Sequence, residues 1–150
     1  MTIATVEQQQ RWIGALAFAG DALLEEAWSA LAPKPAYRLL RPVEMGMTLL
    51  RGRIGGSGEP FNFGEATMTR AAVALASGER GFAHLLGRRP RQAELAALFH
   101  ALLQHPVHRP LVEARVIAPS EAARREMIAA ERAAASATRV DFSTLVRGDG

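Results

Sequence analysis

Apolar positions recur every three to four residues at both ends of the chain and every second residue in its middle, a pattern that predicts helices on either side of a sheet. Thr5-Val-Glu-Gln8 fits a capping box, with a threonine hydroxyl opening a helix and a glutamine three residues on reaching back. Ile13, Leu16 and Ala17 then share a face, with Trp12 beside them, until Gly20 stops the helix and Asp21 offers a new N-cap. Leu24, Ala27, Trp28 and Leu31 follow at i, i+3, i+4, i+7, and Pro33 and Pro35 end this second short helix. The two tryptophans read as packing groups within this helical hairpin, not as ligand platforms.

The period then changes. Tyr37 to Arg41 and Met45 to Ile54 look extended, with Pro42 between them and a turn around Glu44-Met45-Gly46. In the second run Met47 and Leu49 share a face with Arg51 and Arg53, so the strand is expected to leave the core apolar and to end cationic. It leads into the centre of the chain, Arg53 to Arg70, RIGGSGEPFNFGEATMTR, which holds four of the 13 glycines. After its glycine cluster, Phe61, Phe63, Glu65, Thr67 and Thr69 alternate onto one side. Ala71 to Ala76 continue either as strand or as helix; Ser77-Gly78-Glu79 is a turn, and Gly81 to Leu86 a fourth strand closed by Gly87-Arg88-Arg89-Pro90. Strands joined by such short connections pair antiparallel, because parallel pairing needs a long crossover.

Pro90 suits a first helical position, and Leu95, Leu98, Phe99 and Leu102 form the cleanest helical stripe in the chain before Pro106. Residues 105–119 read as irregular. Ser120 to Ala137 is alanine- and charge-rich and helical by propensity, with a thin apolar face of Ala123, Met127, Ala130 and Ala134. The end of the chain returns to period 2, with Val140, Phe142, Thr144 and Val146 alternating with Arg139, Asp141, Ser143, Leu145 and Arg147; this tail docks on its own sheet, lies on a partner or is disordered. The expectation is one α+β domain over residues 1–150: an antiparallel four-stranded meander packed with an N-terminal helical hairpin and C-terminal helices, ending in an extended strand-like tail.

Composition narrows the functional classes. With 49% hydrophobic and 22% charged residues the chain is an ordinary globular one, and no apolar run approaches the length of a membrane span. The N-terminus lacks a basic region followed by an apolar block, so no secretory signal is expected and the cytoplasm is the default. No cysteine is present, which removes disulfides, thiolate metal sites and iron–sulfur ligation by this chain. Lys34 is the sole lysine against 17 arginines, yet the formal charge is only +3 and the aromatic content 6%, a poor basis for nucleic-acid binding.

The Gly55-Gly-Ser-Gly58 cluster invites comparison with phosphate loops, but no Gly-Lys-Ser/Thr follows it and the next element reads as a strand. Either it is a backbone nest for an anion between Arg53 and Arg70, or it is a tight connection that needs glycine. His84, His100, His105 and His108 lack the spacing of a metal site, Ser57, Ser77 and Ser143 lack the context of a nucleophile, and Glu59 and Glu65 pair only across a presumed bend. No catalytic residue can be assigned from these residues.

A set of motifs resembles the PhnG family, the G subunit of the bacterial carbon–phosphorus lyase core complex. They are Arg53, Gly55, Gly56, Ser57, Gly58 and Phe61; Gly64, Glu65, Thr67, Thr69, Arg70 and Val73; Gly78, Gly81 and Phe82; Gly87 and Arg88; and the terminal run from Arg139 to Gly148. Ser57 replaces a usual threonine, Ser143 a phenylalanine, Leu145 a methionine and His100 an aspartate. The resemblance implies a subunit assembling with the H, I and J subunits, with the L and K proteins associating. It also implies a part in displacing adenine from MgATP by a phosphonate, giving ribose 1-alkylphosphonate 5-triphosphate. MgATP is then substrate of the complex, with no cofactor or metal bound by this chain alone, and radical cleavage of the carbon–phosphorus bond belongs to the J subunit. Phosphate-binding or interface roles are expected of Arg53, Gly55, Gly56, Ser57, Gly58, Glu65, Thr67, Thr69, Arg70 and Arg88, and partner binding of Val140, Phe142, Val146 and Arg147. The alternatives are an autonomous enzyme on phosphosugars or nucleotides and, behind it, a nucleic-acid-binding module.

Overall fold

The computed structural model describes residues 4–138. Helix α1 (Val6–Phe18) opens as the capping box predicts, with the Gln8 N–H donated to the Thr5 hydroxyl at 3.2 Å. Its buried face is Trp12, Ala15, Leu16 and Ala19, while Ile13 and Ala17 turn outward. The helix is rotated to bury its largest side chain: the Trp12 indole N–H donates to Glu113 Oε1, and the Arg109 guanidinium lies 5.4 Å from the ring centroid. Gly20, not Asp21, caps α2 (Asp21–Ser29), and Asp21 instead supplies negative charge to its first turn.

The sheet has four antiparallel strands, β1 (Tyr37–Leu39), β2 (Glu44–Arg53), β3 (Pro60–Leu75) and β4 (Arg80–Leu86). The α+β class and its helical hairpin are as expected. Ala71 to Leu75 continue as strand, which makes β3 16 residues long. Strands β1 and β2 do not pair with each other. Both lie along one edge of β3, end to end (Leu39 opposite Val73, Glu44 opposite Arg70), while β4 takes the other edge. Pro42 interrupts that edge, where a residue without an N–H cannot extend the ladder.

Helix α3 (Pro90–Gln104) packs on one face of β3 and β4, and every residue from Leu95 to Leu103 is buried. The odd-numbered residues Thr69, Ala71, Val73 and Leu75 on β3, with Gly81, Ala83 and Leu85 on β4, point toward it. Close seating depends on Gly81, where an added Cβ would lie 1.8 Å from the Ala97 carbonyl oxygen and 2.6 Å from the Ala101 nitrogen. Helix α3 also caps the outward edge of β4. The Phe82 N–H donates to His100 Nδ1 at 3.0 Å, and the Gln104 amide donates to the Arg80 carbonyl at 2.5 Å. His100 is therefore neutral, carries its proton on Nε2 facing Gln9 Oε1, and is held below the usual histidine range by burial.

Residues 105–119, expected to be irregular, are largely helical. Helix α4 (Arg109–Val112) passes through a wide π-helical turn, Glu113–Ile117, into α5 (Ala118–Ala137). The wide turn accommodates Pro119, whose missing N–H would otherwise orphan a carbonyl one turn earlier. Arg11 pins this junction by reaching Glu113 at 3.1 Å and Glu121 at 2.7 Å, and the Ser120 hydroxyl donates to the Ala15 carbonyl at 2.6 Å. Beyond that turn α5 is mostly exposed, including the small residues of its apolar face. No described helix is long and apolar enough to cross a membrane.

Two outcomes test this core. Gly81→Ala is expected to cost about 2–3 kcal/mol in urea unfolding by forcing the α3 backbone off the strand, whereas Gly46→Ala, with nothing within 4 Å, should stay within about 0.5 kcal/mol. Because the folded pKa of His100 lies below its unfolded value, the native state binds fewer protons, so stability contributed by the neutral ring falls as pH drops below about 6.5. Thermal scans from pH 8 to pH 5 should show a steeper loss for the parent chain than for His100→Gln.

Candidate functional site: a two-stranded arm with a glycine tip

Strand β2 pairs with β3 from Glu44–Arg70 out to Arg53–Pro60, whereas β4 reaches only as far as Met68. Beyond Met68 the sheet narrows to a two-stranded arm whose residues are exposed or half-buried on both faces. Met45, Met47 and Leu49 stand opposite Thr69, Thr67 and Glu65, on the face that carries α3 nearer the body, and are 54%, 64% and 58% exposed. The strand was expected to begin in the core; instead its apolar row lies bare, because α3 does not extend over it. The other edge of β2 is unpaired among the described residues.

A register shift divides the arm. Leu50 stands opposite Gly64 but Arg51 opposite Asn62, so Phe63 is the extra residue of a β-bulge. Phe61 falls opposite Gly52, and the Phe63 ring covers Gly52 so closely that an added Cβ would sit 3.1 Å from it. The two rings, 6.0 Å apart, therefore leave the side of Glu65, Thr67 and Thr69 with which strict alternation grouped them.

At the tip, Ile54–Gly56 form a short 3₁₀ turn with Gly55 and Gly56 at φ 62° and 80°, a region that costs glycine nothing. The Gly58 N–H donates to the Ile54 carbonyl at 2.9 Å, and Arg53 Nη1 donates to the Gly58 carbonyl at 3.1 Å. Arg53 thus closes the loop from within. An added Cβ on Gly58 would meet the Ile54 carbonyl oxygen at 2.7 Å. Ser57 is exposed beside these glycines.

Arg70 does not share the tip. Ten residues of strand separate it from Pro60, roughly 33 Å at strand rise, and its Nε donates to Glu44 Oε2 at 2.6 Å, the same oxygen that Arg41 approaches at 3.6 Å. Thr69 is fully buried at the base of the arm, donating to the Gly87 carbonyl at 2.6 Å and accepting the Arg89 N–H at 3.0 Å. It ties β3 to the start of α3. Arg88 is exposed in that same turn, next to Gly87 at φ 88°. Thr67 and Glu65 lie midway along the arm, the Thr67 hydroxyl 3.9 Å from the Met47 sulfur. The ten residues singled out from the sequence thus divide among tip, shaft and base. Val140, Phe142, Val146 and Arg147 lie outside the described residues.

The row Met45, Met47, Leu49 and the counter-ion Glu44 were not among those ten. Their signal was present as period-2 alternation in β2, but it reads equally as a core face. Among the described residues no three histidine, aspartate or glutamate side chains are grouped to hold a metal, and the serine hydroxyl that meets a carboxylate, Ser77 donating to Glu79, lies in the exposed turn between β3 and β4, away from the arm. The arrangement presents a shaped surface of exposed apolar side chains and backbone.

Fold and arm together define an α+β protein with a projecting ribbon carried on a helix-backed sheet. Residues 7–148 match the family described as phosphonate metabolism protein PhnG, and the chain belongs to that family. It is 46% identical over 149 residues to the alpha-D-ribose 1-methylphosphonate 5-triphosphate synthase subunit PhnG of Rhizobium meliloti (strain 1021), an alignment covering 97% of this chain and 93% of that protein.

Gly58→Ala should speed amide exchange at residue 58 about tenfold, the loss of roughly one tip hydrogen bond, without changing exchange in α3. Ser57→Thr should leave both unchanged. Equal exchange in the two variants would show that the tip is not a packed turn.

Proposed function

We propose that this chain is a non-catalytic subunit of the complex that makes ribose 1-alkylphosphonate 5-triphosphate from MgATP and an alkylphosphonate, with release of adenine, in organophosphonate catabolism. The observation that carries this is near-full-length identity to a subunit of a synthase named for its methylphosphonate product. The structure supports an accessory role through the arm: a bare methionine and leucine row on an unpaired strand edge is a liability in a free protein and an asset at an interface. MgATP is substrate of the assembled complex, and no cofactor is bound by this chain alone. The H, I and J subunits are the partners, with the L and K proteins associating, in the cytoplasm. An autonomous phosphosugar enzyme has less in its favour, since Arg53 is spent inside its own loop and Arg70 on Glu44.

The double variant Met47→Asp, Leu49→Asp should fold normally by circular dichroism yet recover at least about tenfold less of the other synthase subunits when a tagged copy is purified from co-expressing cells. Turnover of MgATP plus methylphosphonate by the isolated chain would overturn the proposal.

A further inference from the structure

Among the described residues the face of the sheet opposite α3 is also uncovered by any helix, and its chemistry differs from that of the arm. The even-numbered residues of β3 and the residues paired with them lie on it: Arg38 opposite Ala74, Arg80 opposite Ala74 from the other side, Phe82 opposite Ala72, His84 opposite Arg70 and Leu86 opposite Met68. Phe82 and Leu86 are 45% and 59% exposed. A shallow cavity of about 340 Å³ opens here among Leu40, Arg41, Arg70, Ala72, Phe82 and His84, room for more than one large apolar side chain.

Charge on this face is one-sided. Arg38, Arg41, Arg70 and Arg80 meet one carboxylate, Glu44, which already serves both Arg41 and Arg70. Arg38 and Arg80 are exposed and form no ion pair among the described residues. The floor beneath them is low. Ala72 and Ala74 stand here as Ala71, Gly81 and Ala83 stand on the opposite face, where small side chains let the α3 backbone approach the strands.

We infer that this outer face receives an acidic amphipathic helix of another subunit. Its apolar side chains enter the cavity beside Phe82 and Leu40, and its carboxylates pair with Arg38 and Arg80. The inference rests on the subunit reading and adds to it a second contact surface, on the opposite face of β3 from the methionine row. An apolar floor ringed by arginines suits such a helix better than a nucleic acid, for which the cavity offers only the Phe82 and His84 rings to stack on.

The test places a photo-crosslinking benzoyl-phenylalanine at position 82 of the tagged full-length chain and co-expresses it with the other synthase subunits. The expected cross-link falls on a helical segment of another subunit that carries aspartate or glutamate on one face. Arg38→Glu with Arg80→Glu should then cut the recovered partner at least about tenfold, and arginine in place of the partner's nearest acid should restore it. A cross-link to nucleic acid, to a second copy of this chain or to residues 139–150 would overturn the inference, as would an intact complex indifferent to both reversals. An intact complex with position 82 silent removes this inference and leaves the subunit reading standing. If the unaltered chain recovers no partner, both fall.

Discussion

The molecule turns on a mismatch of lengths. Strand β3 and helix α3 have nearly the same number of residues, 16 and 15, but a strand rises about 3.3 Å per residue and a helix 1.5 Å. The strand is therefore about 53 Å long and the helix laid against it about 22 Å. Less than half of β3 can be roofed. Gly81 helps fix which half, because there the α3 backbone meets the strand with no room for a Cβ. The remainder of β3, with β2 beside it, has no layer to pack against among the described residues and stands out as an arm.

Thr69 marks where the roofed part ends. It is the last inward side chain of β3 before the arm that is fully buried, and its hydroxyl is satisfied by Gly87 and Arg89 at the start of α3. The next inward position is half-buried Thr67, and beyond it the row Met45, Met47 and Leu49 continues the inner face into solvent. Fully burying such side chains is worth about 1.5–3 kcal/mol each. Three half-exposed ones thus leave roughly 3–5 kcal/mol unclaimed, which does not by itself offset the cost of association. The β2 edge, unpaired among the described residues, and the outer face proposed as a second contact surface would add to that contribution.

The sequence conveyed the element types well because helices and strands here carry clean periods: the stripe Leu95, Leu98, Phe99, Leu102 and the alternation of Gly81 to Leu86 both appear as expected. It failed where a neighbour decides the outcome. Trp12 turned α1 because Glu113 accepts its indole proton, a contact a hundred residues away in the chain. Residues 105–119 became helical because a π-turn absorbs Pro119. The bulge at Phe63 broke an alternation that local reading has no means to interrupt. At the site, glycine cluster and arginines were legible as residue types, but not that Arg53 closes its own loop or that about 33 Å of strand separates the tip from Arg70. Nor could periodicity distinguish a row that faces the core from one that runs past its end.

The bulge has a consequence for how the two surfaces are joined. Alternation alone would put Phe61 and Phe63 with Glu65 and Thr67, on the methionine face, and leave the outer face of the arm with Asn62, Gly64, Ala66 and Met68 from β3. One extra residue moves both rings across, over Gly52. The outer apolar row then runs from Phe82 and Leu86 at the body, through Met68, to the phenylalanine pair near the tip. Odd positions of β2 offer a flexible methionine row on one side, while the bulged strand offers aromatic rings on the other. A single covalent rod, β3, carries both faces. Whatever packs against one of them is held in fixed register to whatever packs against the other.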